Sequence, residues 1–111
     1  RALLKHIKDL RWEKINREHR YKHVHDWYVE NLLTRYVLMP TGEVTIQRRG
    51  NPSGQISTTM DNNMVNYWLQ AFEFYLWDDY ETIVYGDDRL SSSPSVPDNY
   101  VEQVVKMYKD V

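Results

Sequence analysis

The sequence predicts an α+β fold in which helices pack on a small antiparallel sheet. Apolar residues recur at helical spacing in separate stretches, β-prone runs face each other across glycine-containing turns, and a Pro/Gly loop at 50–55 divides the first hairpin from a long helix. With 111 residues, 41% of them apolar and 14% aromatic, the chain suits one domain with a core. A net charge of −2 argues against a simple basic nucleic-acid binder, so any nucleic-acid contact has to be local. The absence of cysteine excludes a disulfide framework and a thiolate metal site, a usage that fits an intracellular protein. No apolar run approaches membrane-spanning length and no signal-peptide pattern opens the sequence. Arg1-Ala2-Leu3-Leu4 begins inside an apolar-periodic segment, and Lys109-Asp110-Val111 carries no helix-stop signal, so the expectation is an internal fragment.

From Ala2 to Lys14, Leu3, Ile7 and Leu10 recur between Lys, Arg and Asp, which predicts an amphipathic surface helix. A second helix is expected over Tyr21 to Leu33, with Val24, Trp27, Tyr28 and Leu32 inward. His19, His23 and His25 gather near its start, but no Asp or Glu stands as an evident third ligand, so they read as surface histidines. Tyr36 to Met39 and Val44 to Gln47, on either side of Pro40-Thr41-Gly42-Glu43, read as a hairpin. Arg48 and Arg49 follow as a solvated pair, a phosphate contact being the functional alternative.

After the loop a long helix is expected. Thr58 with Asp61 resembles a capping box, and the periodicity from Met60 supports about four turns. Met60, Met64, Tyr67, Trp68, Ala71 and Tyr75 fall on one side, and Thr58, Asn62, Asn66, Gln70 and Glu73 on the other. The polar stripe has chemistry to offer, because an amide at Asn62 both donates to and accepts from a hydroxyl and Thr58 lies one turn away on the same face. A ribose 2′-hydroxyl is a fitting guest; a cap and a wet helix face are the plain alternatives.

Thr82-Ile83-Val84 then runs into Tyr85-Gly86-Asp87-Asp88, and Arg89-Leu90 resumes the alternation, which reads as a hairpin turning through two carboxylates. Adjacent carboxylates repel unless a cation shares their charge, so a divalent metal is the natural guest, with a solvated acidic turn as the plain alternative. Asp78-Asp79 reads as a connector before this hairpin, Ser91 to Pro94 as a loop after it, and Pro97-Asp98 as the opening of a last helix with Val101, Val104, Val105 and Tyr108 buried.

Gly50-x-Pro52-Ser53-Gly54-x-x-x-Thr58-x-x-x-Asn62-x-x-x-Asn66, followed by Tyr85-Gly86-Asp87-Asp88, resembles motifs B and C of the RNA-dependent RNA polymerases of positive-strand RNA viruses. The wording of 50–69 is most similar to the astrovirus polymerases. The resemblance implies a partial polymerase palm subdomain with part of the connection to the fingers. Residues 1–49 would follow motif A, 50–77 would form the motif B loop and helix, 81–92 the motif C hairpin, and 97–111 the start of the motif D helix. It also implies nucleotidyl transfer to the 3′-hydroxyl of a primer or nascent RNA by a two-metal mechanism, with Mg²⁺ as cofactor and Mn²⁺ as a substitute. Asp87 and Asp88 would be the catalytic metal-binding acids, Ser53, Gly54, Thr58 and Asn62 the nucleotide and ribose contacts, and Tyr85 and Gly86 the residues that shape the turn, while Asn66 would match the final Asn of the motif in either a structural or a direct role.

Partners implied are an RNA template and primer, ribonucleoside triphosphates and the remainder of a polyprotein-derived polymerase, working in replication complexes of the host cytoplasm. The motif A aspartate, the basic motif of the fingers, the thumb and the motif D lysine are not found, and Asp9, Asp26, Lys106 and Lys109 do not match those roles. The fragment alone is therefore expected to be inactive, with a sheet edge and apolar helix faces uncovered. A reverse transcriptase, whose hairpin also carries two aspartates, and a non-catalytic palm-like RNA-binding module are the alternatives. Thr58, Asn62 and Gly86 favour RNA synthesis over the first, and intact Asp87 and Asp88 count against the second.

Overall fold

Both hairpins and all the expected helices form. The computed structural model describes residues 1–15, 19–75 and 79–110, with α1 at Ala2–Lys14, α2 at Lys22–Leu33, α3 at Thr58–Glu73 and α4 at Tyr100–Asp110. β1 (Arg35–Leu38) pairs antiparallel with β2 (Val44–Gln47), and β3 (Glu81–Tyr85) with β4 (Asp88–Ser92), as two separate two-stranded sheets. The end of the motif B segment at Leu76 and Trp77, the Asp78 half of the connector, and Val111 lie outside the described residues.

The core lies where α1, α2 and α3 meet. Leu4 of α1 packs with Val29, Leu32 and Leu33 of α2, and Tyr28 and Val65 close over them. Each fully buried Leu or Val contributes about 1.5–3 kcal/mol, so this small cluster is the main apolar adhesive between the helices. Ile7 is buried as well, and Phe74 forms a second centre against the rings of Tyr80 and Tyr100, at 5.0 and 6.2 Å between centroids. The radius of gyration is 17.1 Å and the thinnest dimension 22 Å. A compact domain of this length has a radius of about 13 Å, so the elements spread as a slab and leave broad faces open.

That openness changes which faces are buried. On α2, Val29, Leu32 and Leu33 meet α1, while Val24 and Trp27 lie on the opposite side of the helix, 52% and 68% exposed. On α4 no residue is fully buried; Val101, Val105 and Tyr108 are exposed, and Tyr100, Val104 and Met107 are half-covered on the side that faces the end of α3. β2 is exposed along its whole length.

The largest departure is on α3. Its fully buried residues are Asp61 and Gln70, each at 0% exposure, whereas Met60, Tyr67, Trp68 and Tyr75 are exposed. The polar side packs inward because what it meets is polar: Lys8 and Arg11 from α1, and Thr82, Arg89 and Ser91 from the β3–β4 hairpin. The capping-box expectation also gives way. Ser57 stands at the N-cap and makes no side-chain cap bond to the backbone, and the Asp61 carboxylate is engaged by Lys8 and Arg11, with the Ser57 hydroxyl donating at 3.4 Å.

Candidate active site

The β3–β4 hairpin closes through two residues, Gly86 and Asp87, with Tyr85 opposite Asp88. Gly86 adopts φ +61°, and no non-glycine residue among those described has a positive φ. Glycine at the first central position followed by a negative φ is the sign pattern of a type II′ turn, whose twist matches the paired strands. Alternation along the strands turns Thr82, Val84, Arg89 and Ser91 toward α3 and leaves Ile83, Tyr85, Asp88 and Leu90 exposed. Asp87 therefore sits at the tip and Asp88 heads β4, both exposed. Among the described residues neither carboxylate has a hydrogen-bond or ion-pair partner.

The backbone of this turn is held by α3. Gly86 N–H donates to Asn63 Oδ1 at 2.5 Å, and Asn66 Nδ2 donates to the carbonyl oxygens of Gly86 at 3.2 Å and Asp88 at 3.0 Å. One turn further on, buried Gln70 accepts from Thr82 Oγ1 and donates from Nε2 to Ser91 Oγ. Positions 63, 66, 70 and 73 lie along one helix face, so a single stripe of amides and one acid runs down the hairpin. At its end Arg89 pairs with Glu73, whose other oxygen accepts from the Tyr100 hydroxyl and so ties in α4. Burial pushes the Tyr100 phenol up to about 12, and the neighbouring Glu73 adds to the effect. Desolvation pulls the Arg89 pKa down, but hydrogen bonding and attraction to Glu73 outweigh it and leave it raised.

The loop before α3 is pinned from the opposite end. Thr58 Oγ1 lies 2.5 Å from Pro52 O and 2.9 Å from Gln55 O, so its one proton serves the loop carbonyls. Asn62, half-buried, accepts from Asn51 Nδ2 at 2.9 Å. Thr58 and Asn62 thus share a face, each bonded to the loop and not to each other; Ser53 and Gly54 are exposed at the loop surface. Gly50, where the loop leaves the first hairpin, takes φ +73°, and its carbonyl accepts from Arg35 Nη1 at 3.3 Å.

Beneath the loop lies a charged cluster that periodicity alone does not reveal. Asp61 receives Lys8 Nζ at 2.5 Å and Arg11 Nη1 at 2.6 Å, and Gln55 Nε2 donates to it at 2.9 Å. Lys8 is 3% exposed and also donates to Tyr28 OH and Ser57 Oγ, both at 2.9 Å. Sequence reading also passed over Asn63, Arg35 and Arg89. The one available signal was the charge of Lys8 and Arg11 amid the apolar positions of α1. His19 and His23 are exposed, whereas the His25 side chain is only 12% exposed and packs against the ring of Trp12 at 4.8 Å, so the surface reading fails at His25.

The family described as viral RNA-dependent RNA polymerase matches residues 1–111. The chain is similar to non-structural polyprotein 1AB of Human astrovirus-8, 64% identical over 120 residues and 99% of the chain. The same polyprotein of Ovine astrovirus 1 is 51% identical over 98% of the chain, and that of Turkey astrovirus 2 is 38% identical over 100% of it. The chain spans about 8% of the length of such relatives. No solved structure matches it. A family match along its whole length, with relatives of this identity, places the chain among the viral RNA-dependent RNA polymerases.

Proposed function

We propose that this segment supplies the sugar-reading helix and the acidic hairpin of an enzyme that copies RNA into RNA, adding ribonucleotides to the 3′-hydroxyl of a primer or nascent strand. The observation that carries the reading is that α3 serves both ends of the site. Asn62 lies beside the loop, and its neighbour Asn63, with Asn66, grips the turn that bears Asp87 and Asp88. A rigid helix therefore sets the spacing between the group that reads the sugar and the acids that act on its phosphate, as positional catalysis requires.

The acids fit a divalent metal: two hard oxygen donors, exposed, with no competing partner among the described residues. Asp87 and Asp88 would hold Mg²⁺, or Mn²⁺ in its place, with the rest of the cage from carboxylates outside this chain. When bound, such a metal pair acidifies the attacking hydroxyl and neutralises the triphosphate. The protein's own part is positional. Thr58 braces the loop, Asn62 offers its amide to the 2′-hydroxyl, and the exposed Ser53-Gly54 segment accommodates the nucleotide. Exposed Tyr67, Trp68, Ile83 and Leu90 are surfaces for the remainder of the polyprotein-derived polymerase, in replication complexes of the host cytoplasm. The fragment by itself is inactive on this reading.

The test is Asp87→Ala in the full-length parent enzyme. RNA synthesis should be abolished while circular dichroism and thermal unfolding stay near the parent's; wild-type activity would sink the assignment.

A further inference from the structure

The orientation of the Gln55 amide is settled by its neighbours. Its Oε1 receives the backbone N–H of Ser57 at 2.9 Å, and a backbone amide only donates. Its Nε2 lies 2.9 Å from Asp61 Oδ2, a carboxylate salt-bridged to Lys8 and Arg11 that only accepts. The remaining Nε2 proton goes to Asn51 Oδ1 at 3.2 Å. Asn51 must then present its own Nδ2 to the next group, and this donates to Asn62 Oδ1 at 2.9 Å. Each bond dictates the next. Asn62 ends with a satisfied acceptor and with an Nδ2 that has no hydrogen-bond partner among the described residues. Together with Asn51 it lines a cavity of about 230 Å³ whose walls include Arg48 and Arg49.

We propose that Asp61, Gln55 and Asn51 form a polarity relay that fixes Asn62 as a hydrogen-bond donor toward the 2′-oxygen of the incoming ribonucleotide, with Gln55 and Asn51 as positioning residues. The proposal rests on the reading of Asn62 given above. An unconstrained amide offers its carbonyl or its NH₂ by rotation about its last torsion, and a hydroxyl satisfies either. An amide with its carbonyl engaged offers only the NH₂. The site is then selective for a 2′-acceptor, and the buried charge under the loop reaches the substrate without touching it.

The 2′-hydroxyl turns to suit either orientation, whereas a 2′-fluoro substituent can only accept, so the fluoro analogue is the sharper probe. In the full-length parent polymerase, kcat/KM is measured for a ribonucleoside triphosphate and its 2′-fluoro counterpart in single-nucleotide extension. Asn51→Asp is isosteric and has no proton for Asn62 Oδ1, so Asn62 turns over and presents its carbonyl. Gln55→Glu breaks the relay one step earlier by the same means. Both variants should lower the fluoro-to-hydroxyl ratio of kcat/KM by about tenfold, the equivalent of one net hydrogen bond. An unchanged ratio in both, including a parallel fall with both substrates, overturns the relay and leaves these residues as loop struts. Asn62→Ala, assayed with ribo- and 2′-deoxynucleotides, separates the two levels of the argument. If it retains ribose discrimination, the reading of Asn62 itself fails; if it loses discrimination while Asn51→Asp and Gln55→Glu keep the wild-type ratio, the relay alone fails.

Discussion

Asn66 on α3 donates from Nδ2 to the carbonyl oxygen of Asp88, 22 residues away in sequence, at 3.0 Å. The same nitrogen serves Gly86 O, so one side chain spans the two-residue turn. Because Asp88 is held through its backbone, its carboxylate stays unengaged. Asn66→Ala leaves the acids in place and removes their anchor. We expect a fall of about tenfold in kcat for the full-length enzyme, corresponding to about 1.4 kcal/mol, with little change in unfolding temperature. Unaltered turnover would show that the turn holds itself.

Gly86 carries a conformational demand and no steric one. At φ +61° a Cβ added there meets nothing within 4 Å, so Gly86→Ala isolates the backbone effect. Denaturant unfolding should report a loss of about 1–2 kcal/mol, and Gly86→Asn a smaller one, since Asn visits positive φ more readily. Equal stability of the Ala variant would mean that the turn relaxes to another type.

Glu73 holds β4 and α4 together, with 2% of its side chain exposed, and Arg89 Nη1 beside it is buried without a hydrogen-bond partner among the described residues. Glu73→Ala should destabilise by about 3 kcal/mol, because it strands the Arg89 charge in a covered site. Its pH signature lies with Tyr100. The folded-state phenol is raised to about 12, so its contribution is full below its ordinary value of 10.0 and is lost as pH rises toward 12. A ¹³C-tyrosine NMR titration should show the high pKa in the parent and a lower one in Glu73→Gln; an identical titration in both would remove Glu73 as a cause.

Lys8→Met should cost about 3 kcal/mol by the same logic, since it takes from buried Asp61 one of its two cations. Lys8→Met combined with Asp61→Leu should recover much of that loss in thermal unfolding, because an apolar pair avoids the desolvation of the charges. If the double variant is no more stable than the single one, the cluster is held by more than the pair.

The sequence was most legible where one element decides its own form. Glycine at 86 between β-branched and alternating residues announces the hairpin, Pro52 and Gly54 announce the loop, and helical spacing announces α1 to α4. It was least legible where two elements decide together. The α3 wheel separates Met60, Tyr67 and Trp68 from Asn62, Asn66 and Gln70, but a wheel does not say which side is covered, and apolar-inward fails when the facing surfaces carry Lys8, Thr82 and Ser91. Asp61 shows the same limit. Its spacing from Thr58 mimics a cap, and only the approach of α1 turns it into the centre of an ion cluster. Thr58 and Asn62 were placed on one face by spacing, whereas the bridge through Asn51 depended on how the loop folds back.

The amide and hydroxyl lining between α3 and the β3–β4 hairpin has a mechanical consequence. Greasy surfaces slide over one another with little penalty, whereas each partner here is matched atom to atom, so displacement by one residue would leave Gln70 and both asparagines unmated inside the molecule. The joint is indexed. On the function proposed above, a tip on such a joint would keep its height above the helix when nucleic acid pushes past it, and would yield by detaching as a whole more readily than by creeping.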